Sequence, residues 1–110
     1  MTHFDDIVKK RLKISEEQLA AYCRKWKIVE FSLFGSVLTD EFRSDSDVDV
    51  MVTFAQNAGW GLFDLGEMED ELSSLFGRTV DLVTKPSVER SENYIIRKNI
   101  LKSSRTYYAA

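Results

Sequence analysis

Two segments with the two-residue period of β-strands bracket a Gly-Ser turn, and the second begins with a pair of aspartates. From Val48 to Thr53, Val48, Val50 and Val52 alternate with Asp49, Met51 and Thr53, the pattern of a half-buried strand. Asp47 and Asp49 therefore point to one face, about 7 Å apart along the strand, while the valines point into a core. Upstream, in the strand predicted over Ile28–Phe34, Val29, Phe31 and Leu33 alternate with Glu30 and Ser32. Gly35-Ser36 follows that strand directly and stands ten residues ahead of Asp47-Val48-Asp49. A chain built this way has to place a strand-ending turn and two carboxylates on one surface.

The remaining elements follow from periodicity and caps. A short helix is predicted over Phe4–Leu12, with Lys9, Lys10 and Arg11 toward its negative C-terminal end. A second begins at Ser15, where Gln18 three residues on completes a capping-box pattern. Leu19, Tyr22, Cys23 and Trp26 form its apolar face. Gly35–Phe42 reads as a turn leading into a short helix, and Arg43–Ser46 as a polar loop. Leu62, Leu65, Met68, Leu72, Leu75 and Phe76 mark an amphipathic helix that Gly77 closes as a left-handed cap. A third strand is predicted over Thr79–Thr84, stopped by Lys85-Pro86. A last helix is predicted over Glu92–Leu101 and a terminal edge strand at Thr106-Tyr-Tyr. Strands alternating with helices predict an α/β fold with at least one sheet face covered. The length of 110 residues fits a single domain over 1–110.

Composition removes several classes of chemistry. His3 is the sole histidine and Cys23 the sole cysteine. A Ser-His-Asp triad, a His-ligated or cysteine-rich zinc site and an internal disulfide are thereby excluded. Lys and Arg number 15 against 18 Asp and Glu, a net charge of −3, which argues against direct nucleic-acid binding. The longest uncharged stretch, Val50 to Phe63, is short of the roughly 20 apolar residues of a membrane span. The expected location is the cytoplasm.

The acids need a cation. Carboxylates this close repel unless positive charge lies between them, and magnesium favours one or two carboxylates together with substrate phosphates. Asp81 interrupts the apolar run Val80-Asp-Leu-Val, where a carboxylate turned into the core is costly. If its strand neighbours that of Asp47 and Asp49, it joins them as the third acid, and two metal ions could be held. Gly35 lets the backbone approach a phosphate closely, and the Ser36 hydroxyl adds a donor. The Walker pattern of a P-loop is absent. The combination predicts a nucleoside triphosphate bound with metal.

At these residues the chain resembles the minimal nucleotidyltransferases of the DNA polymerase β-like superfamily, from about Ile28 to Ile100. The resemblance implies the nucleotidyltransferase fold, a small mixed β-sheet with helices packed on it. It implies that Gly35 and Ser36 bind the triphosphate of ATP. Asp47 and Asp49 would bind Mg2+, and Asp81 would complete the metal site and help deprotonate the attacking hydroxyl. It further implies an antitoxin that neutralises a HEPN-domain ribonuclease toxin by transferring AMP to a toxin tyrosine. The chain departs from the family at Val37, where many members carry Arg, and at Asp40, where a small residue is usual. Arg43 is the candidate substitute.

Blander readings stand beside these. Gly35 serves equally as a turn glycine and Ser36 as a helix cap. Cys23 belongs to the core, with no histidine near to activate it. The acidic run Asp64, Glu67, Glu69, Asp70 and Glu71 is a solvated helix face or a dock for a basic partner. Trp60 is either a loop anchor or a stacking contact. Two rival functions remain: a non-catalytic antitoxin that acts by binding alone, and a small-molecule nucleotidyltransferase, for whose acceptor domain the chain leaves no room.

Overall fold

The structure, a computed structural model, describes residues 6–110. His3 and the first residues of the predicted Phe4–Leu12 helix lie outside them. Helix α1 spans Asp6–Leu12, α2 Glu16–Lys25, β1 Ile28–Phe34, β2 Val48–Phe54, α3 Leu62–Phe76 and β3 Val80–Thr84. Helix α4 (Lys85–Glu89), α5 (Tyr94–Ser103) and β4 (Arg105–Ala109) complete the chain. Among the described residues no helix is long and apolar enough to cross a membrane.

The four strands form a mixed sheet in the order β3-β2-β1-β4. Strands β1 and β2 pair antiparallel, as do β1 and β4, whereas β2 and β3 run parallel. The parallel pair requires a crossover, which α3 supplies. This helix also shields the outer edge of β3. Ser73 Oγ accepts from the Val80 N–H at 3.1 Å and Glu69 Oε2 from the Leu82 N–H at 2.9 Å, so donors that an edge strand leaves open are satisfied.

The core lies between one sheet face and helices α2 and α3. Leu33, Val48, Val50, Val52, Met68, Leu72 and Tyr107 are fully buried there, with Leu19, Tyr22 and Cys23 from α2. Tyr22 donates its phenol to the Met68 carbonyl at 2.8 Å and ties α2 to α3. Burial pushes the Cys23 thiol up to about 12, which keeps it protonated and inert. Met51 and Val88 are buried apart from this cluster, where α4 contacts β2 and β3 on the opposite face.

The Ser15 capping box forms as expected, with reciprocal bonds of 3.1 and 2.9 Å to Gln18. Trp60 is the loop anchor: its indole donates to the Trp26 carbonyl at 2.7 Å, and the two rings meet edge-to-face at 5.2 Å.

Several expectations need correction. Lys85-Pro86 starts a helix as well as ending β3, because Thr84 Oγ1 caps the Ser87 N–H and proline suits a first helical turn. The last helix begins two residues later than predicted, where Asn93 Oδ1 accepts from the Ile96 N–H at 3.1 Å. Leu62 is 85% exposed rather than part of the buried stripe, since the first turn of α3 stands clear of the sheet. In β1 a register shift between Ile28 and Glu30 buries Ile28 in place of Val29. Ser32, expected on the open face, is buried because β4 pairs beside it and Thr106 Oγ1 meets its hydroxyl at 3.1 Å.

Gly77 caps α3 at φ +67°, with no atom within 4 Å of where a Cβ would sit. Its replacement therefore isolates the left-handed penalty from any steric one. Gly77→Ala is expected to lower stability by about 1 kcal/mol, read as a drop in Tm without change in the circular dichroism spectrum.

Candidate active site

The register of the parallel pair decides where the acids meet. Val48 pairs with Val80 and Asp49 with Asp81, so both valines enter the core and both aspartates stand abreast on the opposite face. Asp47 immediately precedes β2, two residues behind Asp49, and is exposed. The Val48 N–H donates to the Thr79 carbonyl at 2.9 Å and pins the start of the strand. Among the described residues no three acidic, histidine or cysteine side chains already converge as a metal cage. The three aspartates instead share one stretch of sheet, with Asp49 and Asp81 as direct neighbours.

Gly35 closes the site from β1. Phe34 pairs with Asp49 across the antiparallel ladder, so the chain turns directly above that carboxylate. Gly35 sits at φ +79°, and a Cβ built on it would fall onto Asp49 Oδ2 and lie 3.3 Å from Asp49 Cγ. Conformation and space both demand glycine here. Ser36 is half-buried, and its carbonyl accepts from the Thr39 N–H at 2.9 Å and the Thr39 hydroxyl at 3.0 Å. The predicted turn into a helix is only a 3-10 turn, Gly35–Leu38. One such turn is too short to sum an appreciable dipole, so it offers local backbone N–H groups instead.

Val37 is fully buried in the core. Arg43, the candidate substitute for the missing arginine, is exposed, and its side chain makes no hydrogen bond among the described residues. A cleft of about 640 Å³ reaches Asp47 between the 44–47 loop and α3, lined also by Asp45, Glu69, Ser73, Arg78 and Thr79. Gly35, Asp49 and Asp81 lie outside it, so the acid row and the cleft meet only at Asp47. Arg11 and Arg78, which bond to carbonyls of the connection from the Gly-Ser turn to Asp47, have no local sequence signal because each is remote from its partners in the chain.

The electrostatics match this geometry. Burial, together with the charges of Asp81 and Asp47, raises the Asp49 carboxyl above its ordinary value of 3.8. The ion pairs of the described residues, Lys25–Glu71 and Lys85–Glu30, involve none of the three aspartates. Among the described residues no ion pair compensates their negative charge, and the oxygen donor set suits a hard divalent cation.

A carboxyl whose pKa is raised on folding opposes folding when ionised. That penalty is complete above its folded pKa and disappears as pH falls below the unfolded value. Without metal at pH 7, Asp49→Asn is expected to be more stable than the parent by a fraction of a kcal/mol after solvent screening. The difference should shrink as pH falls through the carboxylate range. Thermal melts of both proteins in chelator, at pH 7 and pH 4, test the sign.

The nucleotidyltransferase domain family matches residues 15–105. A Methanocaldococcus jannaschii protein with a provisional protein adenylyltransferase name is 34% identical over 91% of this chain and 90% of its own length. The protein adenylyltransferase MntA of Thermococcus cleftensis is 35% identical over 71% of this chain and 73% of its own. A structure provisionally described as a minimal nucleotidyltransferase superposes with a TM-score of 0.66 at 28% identity, covering 96% of this chain and 98% of that one. A toxin–antitoxin structure with AMP-PNP gives 0.67 at 21% identity, over 88% and 75%. A tri-AMPylated HEPN toxin of Shewanella oneidensis in complex with its MNT antitoxin gives 0.58 at 22%, over 86% and 70%. The conjunction of the Gly-Ser turn, the paired strand acids and these relatives makes the chain a member of the nucleotidyltransferase family, in the branch of the protein adenylyltransferases.

Proposed function

We propose that this nucleotidyltransferase is an antitoxin that transfers AMP from ATP to a tyrosine hydroxyl of a HEPN-domain toxin, with magnesium. The observation that carries the reading is the contact of Gly35 with Asp49. A backbone turn suited to anionic oxygens lies against a carboxylate, with Asp81 abreast and Asp47 behind. Phosphate and carboxylates can share so small a space only with a divalent cation between them. The nucleotide class and the protein acceptor are supported by the relatives' names and by the likeness to toxin–antitoxin structures.

Each residue then has a role. Gly35 and Ser36 bind the triphosphate through backbone N–H groups and the Ser36 hydroxyl. Asp47, Asp49 and Asp81 would hold magnesium, which when bound would neutralise the triphosphate and lower the pKa of the acceptor hydroxyl. Asp81, exposed beside Asp49, takes the proton as the hydroxyl oxygen attacks the α-phosphorus and diphosphate leaves. Positioning and charge stabilisation are the main demands of such a transfer. The toxin supplies the surface on which the acceptor is presented.

Intact-mass measurement of the cognate toxin after incubation with this protein, ATP and Mg2+ tests the proposal. Added mass in steps of one AMP is expected. An inhibited toxin of unchanged mass would mean neutralisation by binding alone. The double variant Asp47→Ala and Asp49→Ala is expected to lose transfer by about a thousandfold or more while keeping its circular dichroism spectrum. A double variant that no longer folds would make the acids structural.

A further inference from the structure

The segment from Thr39 to Asp47 joins the Gly-Ser turn to the acid row and contains no helix or strand. Carbonyls in such a connection need donors from elsewhere, and two arginines supply them. Arg11, on α1, donates through Nη1 to the Val37 carbonyl at 2.9 Å and to the Thr39 carbonyl. Arg78, just past the α3 cap, donates through Nη1 to the Arg43 carbonyl at 2.7 Å and lies 3.2 and 3.3 Å from those of Ser44 and Ser46. One guanidinium therefore holds the start of the connection and the other its end.

The two meet at a ring. Phe42 lies midway along the connection and packs against the core. The Arg78 guanidinium stands 4.1 Å from its centroid and that of Arg11 5.5 Å. Neither arginine is ion-paired with a carboxylate among the described residues. Asp47 follows Ser46, whose carbonyl faces Arg78, and precedes Val48, whose N–H is held by Thr79. Residues 78 and 79 thus grip both flanks of the first acid.

We propose that Arg11, Phe42 and Arg78 form a clasp that sets the distance and orientation between the Gly35-Ser36 phosphate seat and Asp47. They are positioning residues for nucleotidyl transfer, since they touch backbone rather than substrate. This rests on the roles given above to Gly35, Ser36 and Asp47. A planar guanidinium can stack on Phe42 and still reach several carbonyls, whereas a lysine ammonium offers a point charge with a different fit. Arg78→Lys is therefore not a conservative change here. Phe42→Tyr keeps the ring and Phe42→Leu removes it.

The test compares the parent with Arg78→Gln, Arg78→Lys, Arg11→Gln, Phe42→Leu and Phe42→Tyr. Thermal melts establish which variants remain folded at the assay temperature. Transfer of AMP to the toxin is followed as a function of Mg2+ and of ATP. The expected result is a kcat/KM for ATP reduced between about tenfold and a hundredfold in folded Arg78→Gln, the scale of a misplaced group. The Mg2+ concentration for half-maximal rate should rise in step, and Phe42→Tyr should restore what Phe42→Leu loses. A general loss of stability would not move the Mg2+ requirement. If Arg78 variants do not fold, Arg11→Gln and the Phe42 pair decide by the same readouts. Parent-like Mg2+ and ATP dependence in the folded variants overturns the clasp while leaving the transfer reading intact. A parent that transfers nothing overturns that reading, and the clasp with it.

Discussion

The backbone at Gly35 presses against the carboxylate of Asp49, and the rest of the site is arranged around that contact. It joins the end of β1 to the beginning of β2, which are already antiparallel neighbours. The contact is tolerable only because glycine has no Cβ and accepts φ +79°. It brings backbone donors suited to anions beside an acid already raised above its ordinary pKa by burial and by Asp81 and Asp47. Negative charge is thus concentrated where a triphosphate would add more. Under the proposed function, a divalent cation would turn that repulsion into binding and so couple nucleotide affinity to metal.

The sheet supplies the frame. The parallel pairing of β2 with β3 through α3 sets Asp49 beside Asp81 and buries Val48 beside Val80 in the same step. A slip of one residue would send the acids into the core and the valines to the surface. Burial of the valines therefore selects the register that assembles the acids. The same helix satisfies the outer edge of β3 through Ser73 and Glu69, so the strand bearing Asp81 is held from both sides.

Much of this was legible in order along the chain. The alternation at 48–53 located Asp47 and Asp49, the Ser15–Gln18 pattern located the start of α2, and Gly77 located the end of α3. Errors arose where a distant element changed the local rule. The β4 pairing buried Ser32 against its polar character, and a register shift exchanged Ile28 for Val29. Thr84 and Asn93 placed helix starts through side-chain caps that the apolar pattern overlooked. Trp60 had two equal readings until its bond to the Trp26 carbonyl chose one.

By itself the sequence determined most of the elements, the common face of Asp47 and Asp49 and the chemistry that a Gly-Ser turn with paired aspartates can support. These depend on local periodicity and on side-chain type, which neighbouring residues suffice to define. Only the tertiary structure decided that Asp81 stands beside Asp49, that Gly35 rests on that carboxylate, and that Arg11 and Arg78 hold the intervening connection. Those contacts join residues that are far apart in the chain, so they exist only after strand pairing and helix packing have closed the loops between them.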